Sequence, residues 1–380
     1  MSTELTEIQS SMREQFRGFV DQEIAPHADE HDKSGRIPAE TILNLARKGW
    51  LAPFLPESCG GMSMDMTTYG LLCEEIGRGS ASLLSLITVH GMVSLAIQRW
   101  GSAAQREKWL PKPASGGILG AFALTEPNIG SDAKNVECSA EARGDIYVIN
   151  GEKKWISCAQ IADLFLIIAR YEDRPTAFIV EKDSPNMTIE PMSGLLGFRS
   201  AMLASLRLDG CEIPAENLLG RIGFGFSHVA GTALDLGRYC IACGCVGLAQ
   251  ACVDASLAYA CERRQGGRYL QEHQLIQQML ADMIAGSKAA RLLCRRAGAL
   301  KDQGDPDSIM ETCVAKYFAS RAAVKAASDA VQIHGANGCG EDYPVQRYFR
   351  DARIMEIIEG SSQIQQIMIS RHSTESAGRR

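Results

Sequence analysis

The sequence predicts an α+β protein built in three parts, helical, then β, then helical. Three observations carry this reading. Up to about residue 115, apolar residues recur at three- and four-residue spacing. From Gly117 to about Gly225 the chain breaks into short β-rich runs divided by turn residues, with no helix-length segment between them. After Phe226 long helical patterns return and continue to the end. The expected architecture is an N-terminal all-α domain (1–116), a central antiparallel β-barrel or sandwich domain (117–225) and a C-terminal four-helix-bundle domain (226–380).

The first part takes its helical texture from "ETILNLARKGWLAPFL" and "YGLLCEEIGRGSASLLSLITVHGMVSLAIQRWG", with Gly and Pro between the runs. The β-rich runs are "GAFALT", "IYVING", "KKWISC", "LFLIIARY", "TAFIVEK" and "SLRLDGCEI". Arg143-Gly144-Asp145 and Asn150-Gly151 read as turns between strands. Because no helices alternate with these strands, a barrel or sandwich fits better than a parallel nucleotide-binding sheet. The third part is set by "QEHQLIQQMLADMIAGSKAARLLCRRAGALK" and "METCVAKYFASRAAVKAASDAVQIHG", and the closing "STESAGRR" reads as a frayed tail. "GRIGFGF" and "GANGCG" follow no strand of a βαβ unit, so they read as turns and helix ends.

At 380 residues the chain exceeds one ordinary core. Its 46% hydrophobic and 22% charged residues are those of a soluble globular protein. No run reads as long enough to span a bilayer, and "MSTELTEIQSSMREQ" lacks the apolar segment of a signal peptide, so no membrane partner is expected. A net charge of −6 argues against nucleic acid as a partner, because phosphate binding needs a basic field. Thirteen cysteines without an export signal point to reduced thiols and a cytoplasmic location. "CIACGC" (Cys240, Cys243, Cys245) has no second ligand cluster and no His at metal spacing. It reads as small core side chains, with no metal site expected.

Three stretches could carry chemistry. In "ALTEPNIGSD", Pro127 and Gly130 shape an irregular loop that frees main-chain groups and the hydroxyls of Thr125 and Ser131, either as a plain surface turn or as a ligand loop. In "KKWIS", Trp155 is either a core residue or an aromatic wall for a planar cofactor, with Ser157 offering a hydroxyl beside it. In "IMEIIEGSSQIQQIMISR", Glu359 stands at a helix break among isoleucines. It is either a solvated helix-end residue or a buried carboxyl with a raised pKa, suited to taking a proton from a weakly acidic C–H.

Taken together, these stretches resemble the acyl-CoA dehydrogenase family, and the resemblance runs along almost the whole chain. "ALTEPNIGSD" is similar to the family's flavin loop, and "NGEKKWIS" to its Trp strand. "IPAENLLGRIGFGF" resembles the exit from its β-domain, and "YACERRQGGRYLQEHQLIQQMLADM" its subunit-contacting helix start. The stretch from "VQIHGANG" through "YPVQRYFRDARI" to "IEGSSQIQ" resembles its C-terminal signature. The resemblance implies FAD-dependent α,β-dehydrogenation of an acyl thioester. In the family, the glutamate of the "EGT" motif removes the pro-R α-proton while the β-hydrogen leaves as hydride to flavin N5; Glu359 matches that glutamate. A thioester α-proton is too weak an acid for a bare carboxylate in water, so the enolate needs hydrogen bonds to the thioester carbonyl in a dry pocket.

Carried over by position, the resemblance implies that Phe122, Leu124 and Thr125 line the flavin ring. Gly130 and Ser131 belong to the flavin loop, Ser131 reaching the FAD pyrophosphate and lying near the substrate. Trp155, Ile156 and Ser157 flank the isoalloxazine. Arg263 and Gln265 meet the FAD of a neighbouring subunit, and Gln332, Ile333, Gly335 and Ala336 its adenosine side. Ser361 and Gln363 complete the pocket, where Ser361 or Ser362 also suits a helix N-cap. Asp235, Arg238 and Gly360 match substrate-contacting positions. The same resemblance implies an electron-transfer flavoprotein or similar acceptor and a homotetramer built as a dimer of dimers.

The chain departs from the family pattern in places. Gly266 stands where the family has Phe in "QFG", Ala336 replaces a glycine of a "GG" pair, and Ala201 and Leu203 replace the Ser and Thr of "RGSxTxEL". These changes spare the base and flavin positions and bear on CoA contacts and the acyl pocket. "MLASLRLDGCEIPAENLLGRIGFGFSHVAGTALDLGRYCIACGCVGLAQAC" resembles a biosynthetic branch that acts on acyl groups tethered to an acyl carrier protein in polyketide and mixed peptide–polyketide pathways. A carrier protein is acidic, so docking would call for a basic patch. "KAARLLCRR" (Lys288, Arg291, Arg295, Arg296) and "ERRQGGR" (Arg263, Arg264, Arg268) are the candidates, with solvated or subunit-contact faces as the alternative. Other enzyme readings on the same fold are an acyl-CoA oxidase and a flavin monooxygenase; Glu359 weighs against the latter.

Overall fold

The computed structural model describes residues 4–110 and 115–378. Among the described residues the N-terminal part holds six α-helices: α1 Glu7–Phe19, α2 Ala28–Ser34, α3 Ala39–Arg47, α4 Met66–Gly79, α5 Ala81–Trp100 and α6 Ala103–Trp109. Side-chain caps set several starts. Thr6 and Gln9 form a reciprocal capping box on α1, Asp65 accepts from Thr68 N, and Ser80 accepts from Leu83 N.

The central part contains β1 Gly120–Ala123, β2 Ser139–Arg143, β3 Ile146–Ile156, β4 Leu164–Tyr171, β5 Arg174–Glu181, β6 Met187–Pro191, β7 Ala204–Pro214 and β8 Leu218–Leu219. They form one sheet in the order β6-β7-β3-β2-β4-β5-β8, with β1 beside β4. Most pairs are antiparallel, as the sequence suggests, but the sheet is mixed: β1 pairs with β4 in parallel, and so does the end of β2 at Ser139 and Arg170. The hairpin of β2 and β3 lies between β1 and β4 in the chain, which gives the length a parallel crossover needs. β4 alternates between two cores. Leu164, Leu166 and Ile168 join the core shared with the helices, while Phe165 and Ile167 join the core on the sheet's other face. Arg143-Gly144-Asp145 is a hairpin turn with Gly144 at φ +65°. Asn150-Gly151 is not a turn; it is a register shift inside a continuous β3, where Gly151 packs against Cys138 and Asn150 Oδ1 accepts from Gly210 N at 2.7 Å.

A π-helical turn at Gly225–Ala230 leads into the C-terminal bundle, formed by α7 Gly231–Glu262, α8 Gln274–Asp302, α9 Ser308–His334 and α11 Ser362–Gly378. A two-stranded hairpin, β9 Arg264–Gln265 with β10 Arg268–Tyr269, follows α7, and the short α10 Val345–Met355 precedes the last helix. The tail "STESAGRR" is helical through Gly378, with the last two residues outside the described set. Contrary to the sequence reading, α5 and the helical run Gly225–Glu262 are long and apolar enough to cross a membrane by length and composition. In the most apolar 18-residue window of each, 89% and 78% of the residues are buried inside the protein, as in core helices.

Ion pairs lock the three parts together. Arg347 on α10 binds Asp29 on α2 at 2.7 Å, and Arg350 binds Asp32 at 2.6 Å. The carboxylate of Asp351 accepts from Phe198 N at 2.7 Å, joining α10 to the loop before β7; burial pushes that carboxyl up to about 6. Helix α7 packs at backbone distance. A Cβ on Gly247 would lie 1.8 Å from the Glu74 carbonyl oxygen, and one on Gly77 would lie 2.6 Å from Gly244 Cα. We therefore expect Gly247→Ala to lower stability by about 1–3 kcal/mol, the usual cost of overpacking. Gly286→Ala on α8, where the nearest atom is 3.8 Å away, should be neutral or slightly stabilising. Thermal or denaturant unfolding of the two variants separates these outcomes.

Candidate active site

Glu359 sits where the chain reverses between α10 and α11. Ile357 and Ile358 donate back to the Ile354 carbonyl, after which Glu359 and Gly360 both adopt left-handed backbone, at φ +54° and +84°. Ser361 then caps the last helix, its Oγ accepting from Ile364 N at 3.4 Å. A non-glycine residue in this conformation costs about 1–3 kcal/mol and persists only when its surroundings hold it. Here they do. The Glu359 carbonyl accepts from Arg238 Nε at 3.4 Å and Gln365 Nε2 at 3.2 Å, and the Gly360 carbonyl accepts from Lys316 Nζ at 2.8 Å and Gln365 Nε2 at 3.1 Å.

The side chain enters the bundle core. Glu359 is half-buried as a residue, yet its Oε2 is fully buried and has no hydrogen-bond partner. The carboxylate fits because position 237 on α7 is glycine: a Cβ there would lie 2.2 Å from Oε2 and 2.8 Å from Met92 Sδ. Burial pushes the Glu359 carboxyl up to about 7, against the opposing pull of Arg238 and Lys316. It is a carboxylate poised to change its protonation state near neutrality.

The sheet contributes a second wall. Lys153 on β3 is completely buried; its Nζ binds Glu126 at 2.6 Å and donates to the carbonyls of Leu124 and Ile168. Glu126 also accepts from Glu137 N and Cys138 N. This closed set pins the loop after β1 against β3, and the Thr125 carbonyl accepts from Lys154 N at 2.9 Å. Next to it Trp155 adopts φ +62° and is 52% exposed, with Lys154 Nζ 5.8 Å from its ring centroid. Ser157 is half-buried, and Gly130 and Ser131 are exposed. Phe122, Leu124 and Ile156 are buried in the two cores, so their side chains are committed to the protein interior. One helix touches both walls. On α5, His90 Nδ1 accepts from Gly120 N at 3.2 Å and Val93 packs against Gly120, while Met92 lies at the Gly237–Glu359 contact.

The remaining expected residues fall into two groups. Near Glu359, Asp235 is paired with Lys301 at 2.5 Å, Arg238 supports the reversal, and Gln363 is exposed on the first turn of α11. Arg263 and Gln265 are exposed beyond the far end of α7, roughly 35 Å along the helix from Arg238. Gln332, Gly335 and Ala336 are exposed at that same end, and Ile333 is buried. His334 stacks on Tyr259 with ring centroids 4.2 Å apart, which joins this loop to the end of α7. The single chain therefore does not bring this group to Glu359. Gly266 follows from the hairpin turn, where φ is +58°. In the first of the two basic stretches, Arg291 is bound to Glu74 and Gln250, and Arg296 to Glu311.

Sequence reading missed Gly237, Met92, Lys316, Gln365 and the Lys153–Glu126 pair. A glycine inside a long helix and a lone lysine on an Ala-rich helical face were the available signals for two of them.

The chain matches three domain profiles in succession: acyl-CoA dehydrogenase N-terminal domain over 6–117, middle domain over 121–211 and C-terminal domain over 223–374. It is 40% identical over 378 residues to the probable acyl-CoA dehydrogenase YngJ of Bacillus subtilis (strain 168), covering 98% of this chain and 99% of the relative. It is 38% identical over 377 residues to the mitochondrial short-chain specific acyl-CoA dehydrogenase of Rattus norvegicus, covering 98% and 91%. Among solved structures, butyryl-CoA dehydrogenase from Megasphaera elsdenii superposes with a TM-score of 0.95 at 32% identity, covering 98% and 100%. A glutaryl-CoA dehydrogenase from Mycobacterium smegmatis in complex with FADH2 gives 0.93 at 27%, covering 98% and 95%. FkbI, for biosynthesis of a methoxymalonyl extender unit of the Fk520 polyketide, gives 0.87 at 30%, covering 96% and 99%. With its three domains matched in order and relatives spanning its length, this chain belongs to the acyl-CoA dehydrogenase family of oxidoreductases.

Proposed function

We propose that this chain is an FAD-dependent acyl-thioester dehydrogenase with Glu359 as the base. The observation that carries the reading is the buried, unpartnered Oε2 of Glu359, held in place by a strained reversal and free to accept a proton. The exposed face of Trp155 beside the pinned loop after β1 suits a planar ring, with Thr125, Ser131 and Ser157 offering hydroxyls nearby. When bound, the flavin would supply the two-electron acceptor for the β-hydride. Glu359, once ionised, takes the thioester α-proton onto its carboxylate. Its fixed backbone N–H is the donor assigned to the developing enolate oxygen, and the closed core behind it excludes water.

Arg263, Gln265 and the 332–336 loop lie too far from Glu359 to serve the same chain's site. The exposure of Arg263, Gln265, Gln332, Gly335 and Ala336 accords with a role at the flavin of a neighbouring subunit in a homotetramer built around two-fold axes. An electron-transfer flavoprotein is the acceptor the family resemblance implies. For the substrate we favour a CoA thioester. The 40% identity to a probable acyl-CoA dehydrogenase exceeds the 30% to the extender-unit enzyme, and the arginines at 291 and 296 are already matched by acidic partners.

The purified protein should be yellow, and an acyl-CoA should bleach its flavin anaerobically. Glu359→Gln should keep the flavin and slow bleaching by about 10²–10⁴, the range for a general base; bleaching at the normal rate would sink the assignment. A panel of acyl-CoA and acyl-carrier-protein thioesters tests the tether, and reaction with carrier-protein esters alone would overturn the CoA reading. Because the base must be ionised, kcat/KM should rise with pH through about 7 and fall about tenfold per unit well below it. Gly237→Ala puts a methyl where Oε2 lies and should cut the bleaching rate by about 10²-fold with flavin content unchanged.

A further inference from the structure

We infer that Lys316 is a positioning residue, whose buried ammonium both holds the Gly360 carbonyl and sets a fixed positive charge behind the Glu359 carboxylate to favour its ionised form. This rests on the reading of Glu359 as the base.

Lys316 lies on α9 in the sequence "CVAKYFAS" and has no exposed surface. Its Nζ donates to Gly360 O at 2.8 Å, and among the described residues no carboxylate oxygen comes within 4.0 Å of it. Lysines are almost never fully buried without an ionic partner, because desolvating an ammonium is costly. A single carbonyl bond could be made by a neutral donor. The position therefore gains little from a charge unless that charge acts on something nearby.

The titratable and charged groups whose fields bear on it are Cys245, Glu356, Arg238 and Glu359. Cys245 on α7 is buried with its thiol pushed well up, so it stays neutral, and its Sγ donates to Met355 Sδ. Glu356, at the end of α10, is paired with Arg353. Arg238 is a second cation, bonded through Nε to the Glu359 carbonyl; beyond it lie Cys313 and the Asp235–Lys301 pair. That leaves Glu359, whose Oε2 has no other partner, as the anion on which the Lys316 charge acts. Burial draws the Lys316 ammonium down to about 8 and the Glu359 carboxyl up to about 7, so each favours the other's charged form around neutrality.

The bond and the charge are separable. Lys316→Gln offers an amide donor without charge, Lys316→Met removes both, and Lys316→Arg keeps the charge. In flavin-loaded protein with an acyl-CoA, the acid limb of kcat/KM should move up by about one pH unit in both neutral variants, the low end of the effect of a neighbouring opposite charge. Lys316→Arg should leave the limb where it stands. An unmoved limb in Lys316→Gln or Lys316→Met, with flavin content and melting temperature confirming a folded holoenzyme, overturns the inference. Either neutral variant suffices if the other does not fold. Glu359→Gln run alongside keeps the failures distinct. If it bleaches normally, the base assignment falls; if it is inactive and the limb still does not move, only the role of Lys316 falls.

Discussion

The architecture depends on how closely α7 can be approached by its neighbours. Half of the residues along this helix are Gly, Ala or Cys, and α4 and α5 come against it at distances that admit no further atom: Glu74 O at Gly247 and Leu84 at Gly244. Close-packed interiors respond to single methyl groups, so these positions set the spacing of the whole helical core. Cysteine serves here as a small hydrophobe. Cys240, Cys243, Cys245 and Cys252 are buried, and burial pushes the thiols of Cys243, Cys245 and Cys252 well up, away from reactive thiolate. Gly237 extends the same rule to the active site, where the atom admitted is a carboxylate oxygen rather than a neighbouring helix.

Around that oxygen the structure combines two unfavourable features. Glu359 occupies left-handed backbone and buries an ionisable group, each at a cost of its own. The compensation is directed at the backbone. Arg238, Lys316 and Gln365 spend their hydrogen bonds on the two reversal carbonyls and make none to the carboxylate. The group that must exchange a proton is thus the one left without a bond, while everything that fixes its direction is fully bonded. On the sheet side the pattern repeats: the buried Lys153–Glu126 pair immobilises the loop and leaves Trp155 half exposed beside it.

Much of this was legible in the residues. The helical, β, helical order follows from periodicity that changes at Gly117 and Phe226, and β4 shows its two-sided burial in the unbroken run "LFLIIA". Asn150-Gly151 misled because the same dipeptide serves a hairpin turn or a strand irregularity, and only the partner strand decides between them. The weakly apolar "SAEAR" and "MTIEP" gave no clear strand signal because their side chains are largely exposed. The closing residues continue a helix that their polar composition alone would not sustain, since α11 begins packed against α9.

By itself the sequence determined the class of elements, their order and the residue types available at each break, because these depend on local periodicity and turn chemistry. It also placed Glu359 among isoleucines at a helix end, but locally that is an ordinary surface position. Only the tertiary structure decided otherwise. It brought Gly237 and Met92 from two distant helices against the carboxylate and supplied Lys316 and Gln365 from two more. The burial of a charge is a property of everything packed around it, and no window of neighbouring residues contains that information.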